Sequence, residues 1–108
     1  MIIRTENGTG HTRVSLLGRF DAHEIAGFAR SVDPLVTAES PDITLNLVNV
    51  AFVDSSALAE LVRLRKATGA LGGTLRLEDI SDPVRVILEI TNLLDVFDIV
   101  RSEAPPAL

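Results

Sequence analysis

The apolar period of this chain changes at one point, and that change limits the folds open to it. From Ile43 to Leu47 apolar residues alternate with Thr44 and Asn46, and Val48, Val50, Phe52 and Val53 keep the run apolar, the pattern of a largely buried strand and its exit. After Asp54-Ser55-Ser56 the spacing becomes helical: Leu58, Leu61 and Val62 recur at one side, Leu64 adds a second apolar edge, and Glu60, Arg63 and Lys66 mark a wetter side. A buried strand feeding an amphipathic helix is the building unit of an α/β fold. Asp54, Ser55 and Ser56 are each suited to cap that helix, because their side-chain oxygens accept bonds from the orphan N–H groups of the first turn. The same tight turn leaves a serine hydroxyl addressable, so capping and chemistry are both open here.

The rest of the chain repeats the alternation. Ile2 and Ile3 before Glu6-Asn7-Gly8-Thr9-Gly10 read as a short strand and a hairpin-type turn, followed by a strand over Thr12 to Leu17. Gly18-Arg19-Phe20-Asp21 closes that strand, and Asp21 can cap a helix through His23, Ile25, Phe28 and Ala29. Pro34 interrupts the helical region, so a kinked or two-piece helix is expected, restarting with Asp33 as N-cap and ending near Glu39-Ser40-Pro41. A strand from Asp42 and a helix to about Thr68 follow, stopped by Gly69 and Gly72-Gly73. Thr74 to Leu77 reads as a strand, Asp82-Pro83 opens a helix ending at Thr91-Asn92, and Val96 to Val100 supplies a last strand. The expected domain is residues 1–101, with 102–108 a disordered tail. The order β-β-α-β-α-β-α-β predicts one α/β domain with a mixed, mostly parallel sheet of four to five strands and helices packed on it. In such sheets functional positions gather where strand carboxyl ends meet helix N-termini, which is where Asp54-Ser55 and Asp21 fall.

Composition removes several functions. A net charge of −5 and only four aromatics, none of them Trp or Tyr, argue against direct nucleic-acid binding and point to a protein partner. No cysteine is present to form disulfides or thiolate metal sites, and no run approaches the roughly 18 apolar residues of a membrane span, so a cytoplasmic protein without membrane insertion is expected. A serine hydrolase needs a histidine within reach of the hydroxyl; His11 falls in the turn before the second strand, His23 lacks an orienting partner, and Ser55 lies outside any G-x-S-x-G elbow. Gly69-Ala70-Leu71-Gly72-Gly73 follows a helix and precedes a strand, the reverse of a phosphate loop. Asp21, His23 and Glu24 read as a cap with solvated charges rather than a metal site, and neither cofactor nor metal is expected.

Asp54-Ser55-Ser56-Ala57-Leu58, Gly18-Arg19-Phe20-Asp21, Gly73-Thr74-Leu75-Arg76-Leu77 and Ile90-Thr91-Asn92-Leu93 together resemble the STAS domain family, specifically the single-domain anti-sigma factor antagonists of bacteria, over nearly the whole chain. That family's motif reads Asp-Ser-Ser/Thr-Gly-Leu, and Ala57 takes its glycine position here. The resemblance implies that Ser55 is a phosphoacceptor and that Asp21, Asp54, Ser55, Ser56, Ala57 and Leu58 form a partner-binding surface. It further implies a non-enzymatic switch: the unphosphorylated protein binds an anti-sigma factor that is itself a serine kinase with a histidine-kinase-like ATPase fold, and the sigma factor is released. Phosphorylation then frees the kinase, and a metal-dependent serine phosphatase resets the cycle. The alternative is a non-switching STAS subunit of a transporter or lipid-transport ATPase complex, in which the serine junction is only a cap.

Overall fold

A computed structural model describes residues 1–102. Its elements are β1 (Ile2–Gly8), β2 (His11–Phe20), α1 (Ile25–Val32), a single 3-10 turn (Asp33–Leu35), β3 (Asp42–Val53), α2 (Ser55–Ala70), β4 (Leu75–Glu78), α3 (Asp82–Ile90) and β5 (Asp98–Val100). The five strands lie side by side in sequence order, β1 antiparallel to β2 and every later pair parallel. The expected mixed, mostly parallel sheet is therefore the observed one, with five strands.

Register explains the core. Thr12, Ile43 and Leu75 stand abreast, as do Val14, Leu45, Leu77 and Ile99, so one face of the sheet is almost wholly apolar. Phe28 and Val32 of α1, Ala57, Leu58, Leu61 and Leu64 of α2, and Val84 and Leu88 of α3 pack into the same buried cluster. Phe20 and Phe28 meet with ring centroids 4.8 Å apart, joining the end of β2 to α1. The opposite face is polar. There Glu78 accepts from the Arg13 guanidinium at 2.5 Å and from Asn46 Nδ2 at 2.8 Å, while Arg76 reaches Asp98 at 3.2 Å. Asn46 and Thr44, buried at 6 % and 7 % exposure, are thus covered by long charged side chains rather than by a helix.

Several boundaries move from their expected places, each for a local reason. The hairpin loop is Thr9-Gly10, two residues past Asn7-Gly8, because β1 stays paired with β2 through Gly8 and His11. The two-piece helix is present, but it ends at Leu35, and Asp33 does not cap the second piece. Its carboxylate instead accepts from Arg63 at 2.6 Å, and Arg63 also forks onto both carboxylate oxygens of Glu60 at 2.8 and 2.6 Å. Glu60, expected on the wet side of α2, is consequently buried, and this double pairing raises the guanidinium pKa above its ordinary value, the Glu60 bond first and the Asp33 bond second. Gly69 lies inside α2; the left-handed residue that ends the helix is Gly72 (φ 79°), with the Gly73 amide donating back to the Thr68 carbonyl at 2.9 Å. Ser81, not Asp82, precedes α3, whereas Asn92 does take the expected left-handed stop at φ 58°.

Ser102, the first residue of the expected tail, is held in place; residues 103–108 lie outside the described residues. Its amide and hydroxyl donate to the two carboxylate oxygens of Asp79 at 2.9 and 2.5 Å. These bonds, the hydroxyl's foremost, favour the charged carboxylate and hold its pKa below the usual value. A lowered folded-state pKa stabilises above the ordinary carboxylate value and loses that stabilisation as pH falls through the folded one. Release of Ser102, followed through its amide signal in an NMR pH titration, is therefore expected only below about pH 4, and release near neutrality would contradict this assignment.

Candidate functional site

The carboxyl ends of β2 and β3 lie together, with Phe20 abreast of Val53. The chain leaves β3 through Asp54, whose backbone is extended (φ −114°, ψ −178°), and enters α2 at Ser55. Asp54 holds two loops at once. Its Oδ1 accepts from the Ala57 amide at 3.0 Å, capping α2, and its Oδ2 accepts from the Ala22 amide at 3.0 Å in the turn after β2. Asp21 shapes that second turn, accepting from the His23 amide at 3.1 Å. It does not cap α1 itself, whose first turn starts at Ile25.

The side-chain cap of α2 is thus made by Asp54 without either serine. Ser55 and Ser56 are exposed, and with Asp54 bound to Ala57 the amides of Ser55 and Ser56 are first-turn donors without an intrahelical acceptor. An exposed hydroxyl at such a helix start can accept a phosphoryl group, and the amides and helix dipole suit the resulting anion. Ala57 and Leu58 lie beneath this surface at 0 % and 5 % exposure, packed in the core. Of the six residues expected at the partner surface, Ser55 and Ser56 are exposed and Asp21 and Asp54 are half-buried, while Ala57 and Leu58 support them from below.

One part of the site is not evident from sequence periodicity. Arg19 lies 4.1 Å over the Phe52 ring, and its Nε reaches Asp21 Oδ2 at 3.4 Å, placing a cation and an exposed aromatic at the same edge. The signal available for it is the pair Phe52-Val53: two consecutive large apolar residues on a strand cannot both face the core. His11 begins β2 and pairs with Asp42 at the far end of the strands from Ser55. His23 is exposed in the turn beside Asp21. No group of three or more potential metal-ligating side chains comes together among the described residues, and no helix among them is long and apolar enough to cross a membrane.

Replacing Asp54 with Ala removes both the α2 cap and the tie to Ala22. The expected cost is about 1–2 kcal/mol in urea unfolding, whereas Ser55→Ala should stay within about 0.5 kcal/mol because nothing in the fold depends on that hydroxyl. Equal losses at the two positions would mean that Ser55 shares the capping role.

A family model described as the STAS domain matches residues 3–104. The chain belongs to the STAS domain family. It is 29 % identical over 87 residues to the anti-sigma-B factor antagonist of Bacillus subtilis, covering 81 % of this chain and 79 % of that protein. It is 28 % identical over 102 residues to the anti-sigma F factor antagonist of Paenibacillus polymyxa, covering 94 % and 87 %. Among solved structures, the fold matches the anti-sigma factor antagonist SpoIIAA in its unphosphorylated form with a TM-score of 0.79 at 18 % identity, over 94 % of this chain and 88 % of that one. The phosphorylated form of SpoIIAA from Bacillus matches with a TM-score of 0.74 at 17 % identity, over 94 % and 93 %. Arg19, Phe52 and Asp54 therefore hold the junction between strand and helix of a STAS domain.

Proposed function

We propose that this STAS domain is an anti-sigma factor antagonist controlled by phosphorylation at Ser55. The unphosphorylated form binds a serine-kinase anti-sigma factor and so releases the sigma factor; the kinase then modifies Ser55 and lets go, and a metal-dependent serine phosphatase restores the binding form. The protein is a binding module and a substrate in this cycle, not an enzyme. The observation that carries the reading is the division of labour at the start of α2: Asp54 alone caps the helix, so the exposed Ser55 hydroxyl is spared for modification.

The physics of the switch is local. A phosphate at Ser55 adds a charge of about −1.5 to −2 and is held by a helix start that needs no rearrangement to receive it. Pressed against a partner beside Asp54 and Asp21, it would have to be desolvated next to like charge. Binding needs to weaken by only ~3 kcal/mol for affinity to fall more than ~100-fold. The test is incubation with the cognate anti-sigma factor and ATP, followed by mapping of phosphate by mass spectrometry. Modification is expected at Ser55; an unmodified Ser55, together with no binding of the unmodified protein, would overturn the proposal.

A further inference from the structure

The two edges of the sheet are unequal. β5 is three residues long, whereas β1 runs for seven, Ile2–Gly8, pairs with β2 without a bulge, and contains no proline. Six of its seven residues are exposed, among them Ile2 at 57 %. Sheets ordinarily protect a long edge by shortening, bulging or covering it, or by placing charge on it, because its unpaired main-chain groups are a template for another strand; of these devices β1 carries only the charge, in Arg4 and Glu6. Here the two-residue loop Thr9-Gly10 is closed by Gly8 and His11. Alternation from that pair directs the main-chain groups of Gly8, Glu6, Arg4 and Ile2 toward β2 and leaves those of Asn7, Thr5 and Ile3 facing outward.

The side chains of this edge are self-complementary. Arg4 and Glu6 share the helix-free face of β1, and neither has an ion-pair partner among the described residues. Glu6 stands opposite Arg13, yet Arg13 is bound to Glu78. We propose that β1 pairs antiparallel with β1 of a second copy of this chain, about a two-fold axis through Thr5. This register overlaps all seven residues, matches the outward-facing groups of Ile3, Thr5 and Asn7 to each other, and sets Arg4 of each copy opposite Glu6 of the other. Both Arg4–Glu6 pairs then fall at non-hydrogen-bonded positions, where facing side chains approach most closely. Because the two-fold axis reverses strand direction, the Ser55 ends of the two sheets point opposite ways and each stays open to its own partner. The pairing is independent of whether Ser55 is phosphorylated.

An edge contact of this size gives a weak association, so sedimentation velocity is run on the full chain up to about 500 μM. Wild type is expected to dimerise with rising concentration. Arg4→Glu and Glu6→Arg each convert two attractive pairs into two repulsive ones and should weaken the dimer by at least about tenfold. An equimolar mixture of the two variants restores every opposite-charge pair and should associate like wild type. Both positions are exposed, so each variant is expected to keep the wild-type circular dichroism and thermal transition. Wild type that stays monomeric, single variants that dimerise as it does, or a mixture that fails to associate would each overturn the proposal.

Discussion

Ser55→Asp is expected to weaken binding to the anti-sigma factor by about 100-fold or more, while Ser55→Ala stays within about threefold of wild type. The two substitutions are matched for the fold: the hydroxyl caps nothing, because Asp54 already holds the Ala57 amide, and both replacements leave the buried Ala57 and Leu58 undisturbed. They differ in charge at the interface. In the proposed interface, an aspartate at position 55 puts a third carboxylate beside Asp54 and Asp21 on the surface that would lose water on docking, and an uncompensated charge there would cost several times the ~1.4 kcal/mol of each tenfold step. Aspartate carries less charge than phosphoserine, so its effect is a lower bound on that of the modification. If Ser55→Asp binds as tightly as wild type, electrostatic repulsion is not the switch.

The second large effect is expected far from that surface, at Gly73. A Cβ there would lie 2.2 Å from the Pro41 carbonyl oxygen and 2.4 Å from its carbon, and the obstacle is backbone rather than a flexible side chain. Neither segment can move freely. The Gly73 amide bonds the Thr68 carbonyl at 2.9 Å, and Asp42, next to Pro41, accepts from the Thr74 amide at 2.9 Å and from its hydroxyl at 3.2 Å. Gly73→Ala is therefore expected to cost about 2–4 kcal/mol, read as a fall of roughly 10–20 °C in the thermal midpoint. Gly69→Ala supplies the control of opposite sign. It lies within α2 with nothing within 4 Å of its added methyl, and should stabilise by about 0.5–1 kcal/mol through helix propensity. A Gly73→Ala protein as stable as wild type would mean that the Pro41–Gly73 approach is not a fixed part of the fold.

What the sequence made legible was whatever is encoded by near neighbours. The alternation of Ile43, Leu45 and Leu47, a cap within Asp54-Ser55-Ser56, the break at Pro34 and the left-handed stop at Asn92 each follow from the chemistry of a few adjacent residues, and the structure has all four, with Asp54 as the cap. Partners distant in sequence were not legible. Glu60 is buried because Arg63 bridges it to Asp33, thirty residues earlier, so a helix-face reading alone places it in water. The hairpin loop moved past Asn7-Gly8 because cross-strand pairing kept both residues in the ladder. At the site, Asp54 and Ser55 were readable from their place between strand and helix. The second bond of Asp54, to Ala22, and the stacking of Arg19 on Phe52 depend on β2 and β3 lying abreast, which no local pattern states. Resemblance supplied the role proposed for Ser55, and geometry adds that its hydroxyl is exposed and not needed for capping.

The central claim, that one phosphate on Ser55 turns binding off, is tested most directly by calorimetric titration of the anti-sigma factor with two preparations of this chain, one unmodified and one phosphorylated at Ser55. Tight binding by the unmodified protein and at least about 100-fold weaker binding by the phosphorylated one is the predicted result. Equal affinities for the two preparations would contradict it.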